Sequence, residues 1–428
     1  MAKTYDTYQD SGIAWIGEIP SEWEVVRQKN VFTLGKELIG DNWATTQLLS
    51  LTTKGIKCIS IGNTSGKVPD SYNTYQTVKP NNLVMCLFDL DCSAVFSGIS
   101  SCSGMISPAY KVLTVNEGAD PRYYSYWFDF IFDGRKYMYL SKNIRYSLTY
   151  DEFAALGIVY PSLSEQQSIA TFLDTKCVEI DALISLQEEM ISELQAYKQS
   201  VITEAVTKGL NPNAKMKDSG VEWIGEIPER WNISPLKHII NDHLQYGANE
   251  RGILYEEGLP RYVRITDILD NRLRDDIQKQ SLTEEQAEGF ILRNNDILFA
   301  RSGGTVGKTF IYKTKYGKCA FAGYLIKASV NDLNNAEFVY FYTQSSSYDE
   351  WKKRIFIQAT IQNIGADKYS LLEIPLPSKE EQTVIVKYLK NKTSQIDSLI
   401  ALKQEKIQEL KDYKKSIIYE YVTGKKRV

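Results

Sequence analysis

A glycine-rich segment at Arg301–Thr309, with the sequence RSGGTVGKT, contains the residues whose types most suggest chemistry. It ends in Gly-Lys-Thr, as the phosphate-binding loop of nucleotide-binding proteins does. That loop requires a glycine where Ser302 stands and a helix afterwards, whereas the residues after Lys308 predict a strand. Exposed backbone amides flanked by Arg301 and Lys308 instead suit a DNA backbone, and an arginine can also read guanine. The segment therefore predicts a DNA contact, with a plain hairpin turn as the alternative.

Other candidates for catalysis lack essential residues. The segment SPAY at Ser107–Tyr110 is one residue from the motif with which amino-methyltransferases hold a flipped base, but Ala109 replaces the second proline. His238 and His243 lack the glutamate of the zincin pattern, and no GxSxG elbow occurs. The six cysteines have no paired close spacing, which favours buried, reduced thiols. We therefore expect no catalytic, metal or cofactor site in this chain.

The composition is that of a globular protein, with 43% hydrophobic and 24% charged residues among 428. Neither a signal peptide nor a run of about eighteen apolar residues is found, so we expect a cytoplasmic protein without membrane contact. The net charge of -3 excludes a protein that coats nucleic acid through charge alone. DNA binding would then depend on local basic patches or on a partner that brings positive charge.

An internal repeat is the most informative feature of the sequence. The frame DSGIAWIGEIPSEW at Asp10–Trp23 recurs as DSGVEWIGEIPERW at Asp218–Trp231, with ten of fourteen positions identical. Pro161–Gln166 recurs as Pro377–Gln382, and this match continues into the following helices. The inserts between frame and helix diverge, and the second is eight residues longer. Unlike inserts on one scaffold predict two modules that recognise different things, whereas a plain structural duplication would retain similar cores.

Each copy ends in a predicted helix, with Ser164 or Ser378 as the residue that caps its first amides. Apolar residues recur there at spacings of three and four, which predicts a buried stripe on each helix. A pseudo-two-fold axis would set the helices antiparallel as a coiled coil, each of about 40 residues and roughly 60 Å. The predicted helix-pair core consists of Ile180, Ile184, Ile191, Leu194, Val201, Ile396, Ile400, Ile407, Leu410 and Ile417, with Leu183, Tyr197, Leu399 and Tyr413 in the same stripe.

The two inserts predict mixed sheets and helices, because short apolar runs alternate with Gly, Asn and Asp clusters. Helices are expected at Pro121–Phe132 and at Ala336–Lys353. Strands are expected at Val84–Phe88, Ala109–Leu113, Tyr262–Ile265, Asp296–Ala300 and Thr309–Tyr312.

The frame DSGxxWIGEIPxxW, the PxxxEQ helix opening and the Ile-Asp-x-Leu-Ile stripe resemble type I restriction-modification specificity subunits over essentially the whole chain. The order of frame, variable domain and helix, written twice, is also that family's order. The resemblance implies an α+β fold in which two mixed α/β target recognition domains are separated by two long antiparallel helices, with an internal pseudo-two-fold repeat. The implied boundaries are 1–160 and 211–376 for the recognition domains and 161–210 and 377–428 for the spacer helices.

In that family each recognition domain reads one half of a split, asymmetric site in double-stranded DNA, and the helices bind methyltransferase subunits. The resemblance therefore implies two methyltransferase subunits as partners, together with restriction and translocase subunits. S-adenosylmethionine, ATP and magnesium are expected in those partners and not in this chain. Two alternatives remain open, namely a self-contained methyltransferase or nuclease and a coiled-coil scaffold that binds only protein.

The resemblance also suggests which residues contact DNA. The YVRITD segment at Tyr262–Asp267 and the glycine loop resemble the family's strand-loop-strand core. The first domain lacks such a glycine loop. Its segment Asn143–Leu148 resembles an arginine-containing turn before the helix and aligns with Ile361–Ile364. The predicted contacts are Arg145, Tyr146, Ser147, Arg264, Thr266, Arg301, Ser302, Gly303, Thr305, Lys308, Gln362 and Asn363.

Overall fold

The computed structural model of this protein describes residues 4–60, 71–140, 145–269, 271–357 and 363–428. The chain divides into two compact units: unit 1 comprises Met1–Glu188 and Glu405–Val428, and unit 2 comprises Glu189–Gln404. Both boundaries fall inside long helices, so each unit contains a segment of both. Among the described residues, no helix is both long and apolar enough to cross a membrane.

Unit 1 is built from short strands and helices that precede the first long helix. In chain order they are β1 (Tyr8–Asp10), β2 (Glu18–Pro20), β3 (Glu24–Arg27), α1 (Gln28–Val31), β4 (Phe32–Leu34), β5 (Leu48–Thr52), β6 (Gly55–Ile59), β7 (Gln76–Val78), β8 (Leu83–Met85), β9 (Ser97–Ile99), β10 (Gly104–Ile106), β11 (Lys111–Val115), α2 (Pro121–Asp133), α3 (Tyr137–Leu140), α4 (Tyr150–Ala155) and β12 (Gly157–Tyr160). Helix α5 (Leu163–Lys208) begins in unit 1 and ends in unit 2.

Unit 2 repeats this plan. Its elements are β13 (Met216–Asp218), β14 (Glu226–Pro228), β15 (Asn232–Pro235), β16 (Gln245–Tyr246), β17 (Ile253–Leu254), β18 (Arg261–Val263), β19 (Ile268–Leu269), β20 (Arg272–Leu273), β21 (Gln280–Ser281), α6 (Glu284–Ala287), β22 (Ile297–Ala300), β23 (Thr309–Ile311), β24 (Cys319–Phe321), β25 (Leu325–Ala328), α7 (Ala336–Tyr342), α8 (Ser346–Ile357), α9 (Ala366–Ser370) and β26 (Glu373–Leu376). Helix α10 (Lys379–Val422) begins in unit 2 and ends in unit 1.

The two inserts share their sheet topology although their sequences diverge. Unit 1 has an antiparallel sheet of order β4-β11-β8-β9, and unit 2 has one of order β16-β25-β22-β23. A second sheet in each unit contains one parallel pair, β5 with β10 and β18 with β24. The two inserts therefore have a common fold, as two recognition domains of one type would, although their sequences diverge. Core strands need only apolar side chains of suitable volume, so topology persists while residue identity is lost.

The predicted strands all overlap observed ones, but one predicted helix is broken. The expected helix at Ala336–Lys353 is split into α7 and α8 at Thr343–Ser345. The Ser345 hydroxyl donates to the carbonyl of Tyr342 at 2.7 Å, and the Thr343 hydroxyl donates to that of Tyr340 at 2.7 Å. Side-chain hydroxyls that bond nearby backbone groups compete with the helix, which explains the break.

The repeated frame is a hairpin that buries a tryptophan in each unit. The Asp10 carboxylate accepts a hydrogen bond from the amide of Gly12 at 3.0 Å, and Asp218 accepts from Gly220 at the same distance. Both glycines have a positive φ, 69° and 74°, which a side chain would strain. Trp23 and Trp231, which end the two frames, are each 1% exposed. The frame is thus a structural element of the scaffold.

The glutamine of the PxxxEQ motif joins each insert to its long helix. Gln166 donates to the carbonyl of Pro161 at 2.8 Å and accepts from the amide of Asp120, the N-cap of α2, at 2.8 Å. Gln382 donates to Pro377 at 3.0 Å and accepts from Asn335, the N-cap of α7, at 2.7 Å. Both glutamines are almost fully buried, at 0% and 1% exposure. The motif therefore fixes each domain to its helix by the same two hydrogen bonds.

The first long helix is capped two residues earlier than expected. The carbonyl of Ser162 accepts from the amide of Gln166 at 2.9 Å, as Ser378 accepts from Gln382 at 2.9 Å. Ser378 is thus the cap predicted for the second helix, whereas Ser162, and not Ser164, has this place in the first. Ser162 follows Pro161 as Ser378 follows Pro377, so the two helices are capped at equivalent positions of the repeat.

Within each unit the long helices run antiparallel. In unit 1, the rings of Phe172 and Tyr421 lie 4.4 Å apart, and further along, Asp181 and Lys414 form an ion pair at 2.7 Å. In unit 2, Lys198 and Asp397 form an ion pair at 2.6 Å. Asp181 and Asp397 are equivalent in the repeat, as are Lys198 and Lys414, because each pair is separated by the repeat's offset of 216 positions. Each copy therefore supplies the acid of one pair and the base of the other.

The predicted helix stripe is partly correct. Ile180, Ile184, Val201, Ile396 and Ile417 are buried. Ile191, Leu194, Ile400, Ile407 and Leu410 are half-buried. The assignment of four further residues to the stripe is wrong, because about half of each side chain is exposed: Leu183 48%, Tyr197 54%, Leu399 46% and Tyr413 55%. Spacings of three and four do not separate two adjacent apolar stripes on one helix, and each helix here carries both.

Candidate nucleic-acid interface

The glycine-rich segment is a hairpin loop between β22 and β23. Phe299 lies opposite Thr309 in this antiparallel pair, and the amide of Gly307 donates to the carbonyl of Ala300 at 2.9 Å. A strand follows the loop where a nucleotide-binding loop would begin a helix, so this segment does not have the structure of that loop. Gly303 and Gly307 have positive φ values of 78° and 81°, and only glycine adopts these without strain.

Two buried tyrosines hold the base of this loop. Tyr348 donates its hydroxyl to the carbonyl of Gly307 at 2.9 Å, and Tyr369 donates to that of Ala300 at 2.9 Å. Burial raises the pKa of both phenols, so each hydroxyl stays protonated and remains a donor. The loop is therefore rigid at its base, while Gly303 and Gly304 at its tip are exposed.

Arg301 is held by an aromatic ring at the start of the loop. Its guanidinium carbon lies 5.0 Å from the centre of the Tyr246 ring, which is the geometry of a cation–π contact. The Tyr246 hydroxyl in turn accepts from the amide of Ala366 at 2.9 Å. The Nε atom of Arg301 is buried and has no hydrogen-bond partner among the described residues. The Arg301 side chain is thus held in place by Tyr246, while the hydrogen-bonding capacity of its Nε atom is unused among the described residues.

Asn363 lies directly beside this arginine. It pairs with Ser302 in an isolated β-bridge, and the amide of Ile364 donates to the carbonyl of Arg301 at 2.9 Å. The side-chain oxygen of Asn363 is buried and likewise has no partner among the described residues. The predicted contacts Ser302 and Asn363 are therefore brought together with Arg301. Gln362 lies outside the described residues.

The remaining predicted contacts of the loop, Lys308 and Thr305, differ in exposure. Lys308 is exposed, and it forms no ion pair within the part of the chain that the structure describes. Thr305 is half-buried, and its carbonyl accepts a hydrogen bond from the amide of Lys308 at 3.0 Å. An exposed lysine beside bare glycine amides can approach a phosphate without displacing another group.

Arg264 has a partner of its own within unit 2. Its guanidinium donates to both carboxylate oxygens of Asp267, at 3.1 and 2.8 Å, and Asp267 is 1% exposed. The hydrogen bond to Asp267 raises the pKa of Arg264 above its usual value. Arg264 therefore compensates a buried charge, and any contact with DNA would have to be made in addition to this bond. Thr266, next to it, is exposed.

Unit 1 has a loop in the equivalent place, although the sequence shows no glycine loop there. It connects β8 and β9 and covers residues 86–96. The amide of Leu148 donates to the carbonyl of Leu87 at 2.7 Å, as the equivalent Ile364 does to Arg301. The counterpart of Arg301 in unit 1 is therefore Leu87.

The residues of unit 1 that were predicted to contact DNA lie against this loop. Arg145 is 74% exposed, with its guanidinium 3.5 Å from the carboxylate of Asp89. Ser147 accepts a hydrogen bond from the amide of Asp89 at 2.9 Å. Tyr146, between them, has a positive φ of 49°. These three residues thus form a turn against the loop, next to an acidic group.

Sequence reasoning missed two aromatic residues of the unit 2 site. Tyr246 and Tyr324 are 41% and 67% exposed, and the carbonyl of Tyr324 accepts from the amide of Arg301 at 3.1 Å. Tyr246 is the last residue of β16 and Tyr324 directly precedes β25, and they are separated from Arg301 by 55 and 23 positions. Since 28 tyrosines occur in the chain, a local pattern could not have selected these two.

Comparison with known proteins identifies the same scaffold elsewhere. A family model described as "Type I restriction modification DNA specificity domain" matches residues 20–196 and 228–412. The MjaVIII type I restriction enzyme specificity subunit of Methanocaldococcus jannaschii is 24% identical over 291 residues, which cover 64% of this chain and 63% of that protein. The putative MjaX specificity subunit of the same organism is 25% identical over 96% of both chains.

The fold is also found in a solved structure. A chain from a study of complex assembly and conformational transition of the type I R-M system has a TM-score of 0.71, with 17% identity over 95% of this chain and 99% of that one. The chain spans about 63% of the MjaVIII subunit's length, while it covers nearly all of the MjaX subunit. Because the family model matches most of both copies, this chain belongs to the family of type I restriction-modification DNA specificity subunits.

Proposed function

We propose that this chain selects the DNA sequence at which a type I restriction-modification complex acts, with one domain for each half of a bipartite, asymmetric site. The observation that carries the proposal is the cluster on unit 2, where Arg301 and Asn363 each have a buried polar atom without a partner among the described residues, beside the exposed loop that ends in Lys308. Family membership supports the same function.

The cluster has the chemistry of base reading. A buried polar atom without a partner costs about 1–3 kcal/mol, and a ligand that supplies the missing bond recovers this free energy. Base edges in the major groove supply such partners, since an arginine pairs with guanine and an asparagine with adenine. Lys308 would then contact a phosphate and fix the register of the loop.

Two reading domains on one chain would account for a long recognition sequence. If each domain reads three to five base pairs at roughly 1–3 kcal/mol each, one half alone is poorly specific. The free energies of well-separated base contacts add roughly, so the two halves together specify a long sequence. Because the two loops differ while the two scaffolds are alike, the two half-sites would differ in sequence, and the whole DNA site would be asymmetric.

The chemistry would be performed by partner subunits. We propose that two methyltransferase subunits dock on the exposed apolar side chains of the long helices, Leu183 and Leu186 in unit 1 and the equivalent Leu399 and Leu402 in unit 2, which are 46–60% exposed. Restriction and translocase subunits complete the complex. S-adenosylmethionine, ATP and magnesium would bind to those partners, this chain would have no catalytic step, and the complex would act on cytoplasmic DNA.

A DNA shift assay with the assembled methyltransferase complex tests this function. We expect the R301A variant to lose affinity for the DNA sequence that the complex methylates, while it retains its fold and its partners. Labelled S-adenosylmethionine added to the chain without partners should leave DNA unmodified. Methyl transfer by the chain alone, or a complex that binds every DNA sequence equally, would contradict the proposal.

A further inference from the structure

Two cysteine side chains of unit 1 lie in contact. The Sγ atoms of Cys58 and Cys102 are 3.4 Å apart, although the two residues are separated by 44 positions. Among the residues that the structure describes, no other two cysteine sulfurs lie within hydrogen-bond distance of each other. Cys58 is exposed and Cys102 is half-buried, whereas the spacing of the cysteines in the sequence favours buried thiols. The fold therefore creates a pair of thiols that the spacing does not show.

Each of the two thiols belongs to a segment with a defined place in the sheets. Cys58 is on β6, opposite Leu49, and among the described strands β6 is at the edge of the sheet of order β6-β5-β10-β7. Cys102 lies in the connection from β9, the edge strand of the other sheet, to β10. The Ser100 hydroxyl donates to the carbonyl of Cys102 at 2.8 Å and holds this connection. The thiol pair therefore lies where the edges of two different sheets meet.

The two edges are in close contact beside the thiols. A Cβ atom added at Gly98 of β9 would lie 2.8 Å from a methyl carbon of Leu51 and 3.3 Å from the Cγ1 atom of Ile56. Ile56 is two residues before Cys58 on β6, so the two side chains are on the same face of that strand. Ile56 and Cys102 pack against the same apolar cluster. The contact between the thiols is thus part of a packed region of unit 1.

The chemistry of the pair favours a reversible disulfide over a catalytic thiol. The hydrogen bond between the thiols raises the pKa of Cys58 above its usual value, so at neutral pH this sulfur is mainly protonated. A catalytic cysteine requires the thiolate. Exchange with a disulfide can start slowly from a small thiolate fraction, and a neighbouring thiol then completes the reaction within the same molecule.

We propose that Cys58 and Cys102 are a modification site, at which a small-molecule disulfide forms a reversible disulfide bond between β6 and the connection from β9 to β10. One thiolate of the pair attacks a sulfur of the small disulfide, which forms a mixed disulfide and releases one small thiolate. The second cysteine, as its thiolate, attacks the protein sulfur of the mixed disulfide and releases the other. The two cysteine sulfurs are oxidised, the two small-molecule sulfurs are reduced, and both thiol protons pass to the small thiolates. The inference does not depend on the proposed function.

The bond requires a small movement and should stabilise unit 1. The sulfurs of a disulfide are about 2 Å apart, so those of Cys58 and Cys102 must approach by about 1.4 Å. Among the described strands β6 pairs only with β5, so its shift strains a single ladder. A bond between distant positions restricts the unfolded chain, which makes the oxidised protein more stable than the reduced one.

Incubation of the folded full chain with oxidised glutathione tests the site. The remaining free thiols are alkylated, and mass spectrometry of the non-reduced peptides locates the bond. We expect one pair of peptides joined through Cys58 and Cys102, without glutathione on either residue, and its loss on treatment with dithiothreitol. Failure to form a bond, or a bond from Cys58 to Cys86 or Cys92, would overturn the proposal.

Serine variants separate a thiol pair from a single reactive thiol. In C58S and in C102S the remaining cysteine has no neighbouring thiol, so its reaction should stop at the mixed disulfide with glutathione. C92S, at the exposed cysteine of the loop between β8 and β9, is the matched control and should retain the bond. Oxidation should raise the melting temperature of C92S and of the unchanged chain by about 5 °C or more, but not that of C58S. A bond that forms without this gain would show that it distorts the native sheets, and would also overturn the proposal.

Discussion

The loops that follow β8 and β22 occupy equivalent places in the two units but have opposite character. The loop of unit 2 contains Arg301 and Lys308, three glycines and no acid. The loop of unit 1 contains Asp89 and Asp91 and neither a basic residue nor a glycine. Both begin and end on strands of the same order, so the scaffold tolerates either loop. The sheet therefore does not require a particular set of residues in this loop.

Because the two loops differ in charge and in glycine content, we expect them to contact DNA in different ways. A basic, glycine-rich loop brings backbone amides close to phosphates and an arginine to guanine. An acidic loop repels phosphates, but a carboxylate can accept from the amino group of cytosine. In unit 1 the positive charge at this place comes from Arg145, which lies 3.5 Å from Asp89. We therefore expect the two units to respond differently to changes in their loops and equally to changes in their scaffold.

The largest effect is expected where the units are alike. Replacement of Gln166 or Gln382 by alanine leaves a buried amide and a buried carbonyl without partners, which costs about 2–4 kcal/mol in the unfolding free energy. Chemical denaturation of the two single variants measures this. The two losses should agree within about 1 kcal/mol, and a much smaller loss for one of them would show that its unit is held in another way.

The next effect concerns DNA binding by unit 2. The R301A change should weaken binding of the target by about 1–3 kcal/mol, because a bidentate base contact is lost, while the K308A change should lower the salt slope by about one. K315A, at an exposed lysine outside the loop, is the control. Titrations of the assembled complex at several salt concentrations measure both quantities. Normal affinity of both loop variants would mean that the loop is only a turn.

A smaller effect separates the glycines of the loop. G303A places a side chain at a φ of 78° and should cost about 1 kcal/mol in stability, although no atom lies within 4 Å of the added methyl group. G304A, its neighbour, has equal space and no positive φ, and its stability should be unchanged. Thermal unfolding of the pair measures the difference. Equal melting temperatures would show that the backbone of the loop adapts.

The smallest effect is expected in unit 1. Asp91 is exposed, and its change to asparagine removes one negative charge from the loop. Non-specific DNA binding at low salt should become stronger by less than about 1 kcal/mol, the opposite direction to K308A. The measurement is the same titration with a DNA that lacks the target. Weaker binding would indicate that Asp91 contacts a base or an ordered cation.

Much of the scaffold was predictable from the sequence. The long helices follow from apolar spacing, and the repeat of Asp181 and Lys198 as Asp397 and Lys414 was visible before their ion pairs were known. The break between α7 and α8 was not predictable, because hydroxyl side chains end a helix in some contexts and extend it in others. The shared sheet topology was hidden because buried strands constrain volume and not identity.

The site was less predictable than the scaffold. Arg301 and Lys308 belong to a conspicuous sequence segment. Tyr246 is 55 positions away from Arg301, and only the fold of the sheet brings its ring against the guanidinium. Arg264 has a suitable residue type, yet it bonds the buried Asp267. Such contacts depend on the fold and not on spacing along the chain. Gln362, also predicted to contact DNA, stays a prediction.

The central claim is that each unit reads its own half of a split site. Its most direct test is to map methylated bases in the genome of a host that expresses the complete methyltransferase complex, with this chain unchanged or as R301A. We expect a bipartite asymmetric motif, and in the variant one half becomes relaxed while the other half and the spacer are unchanged. A continuous motif, or a loss of specificity in both halves, would contradict it.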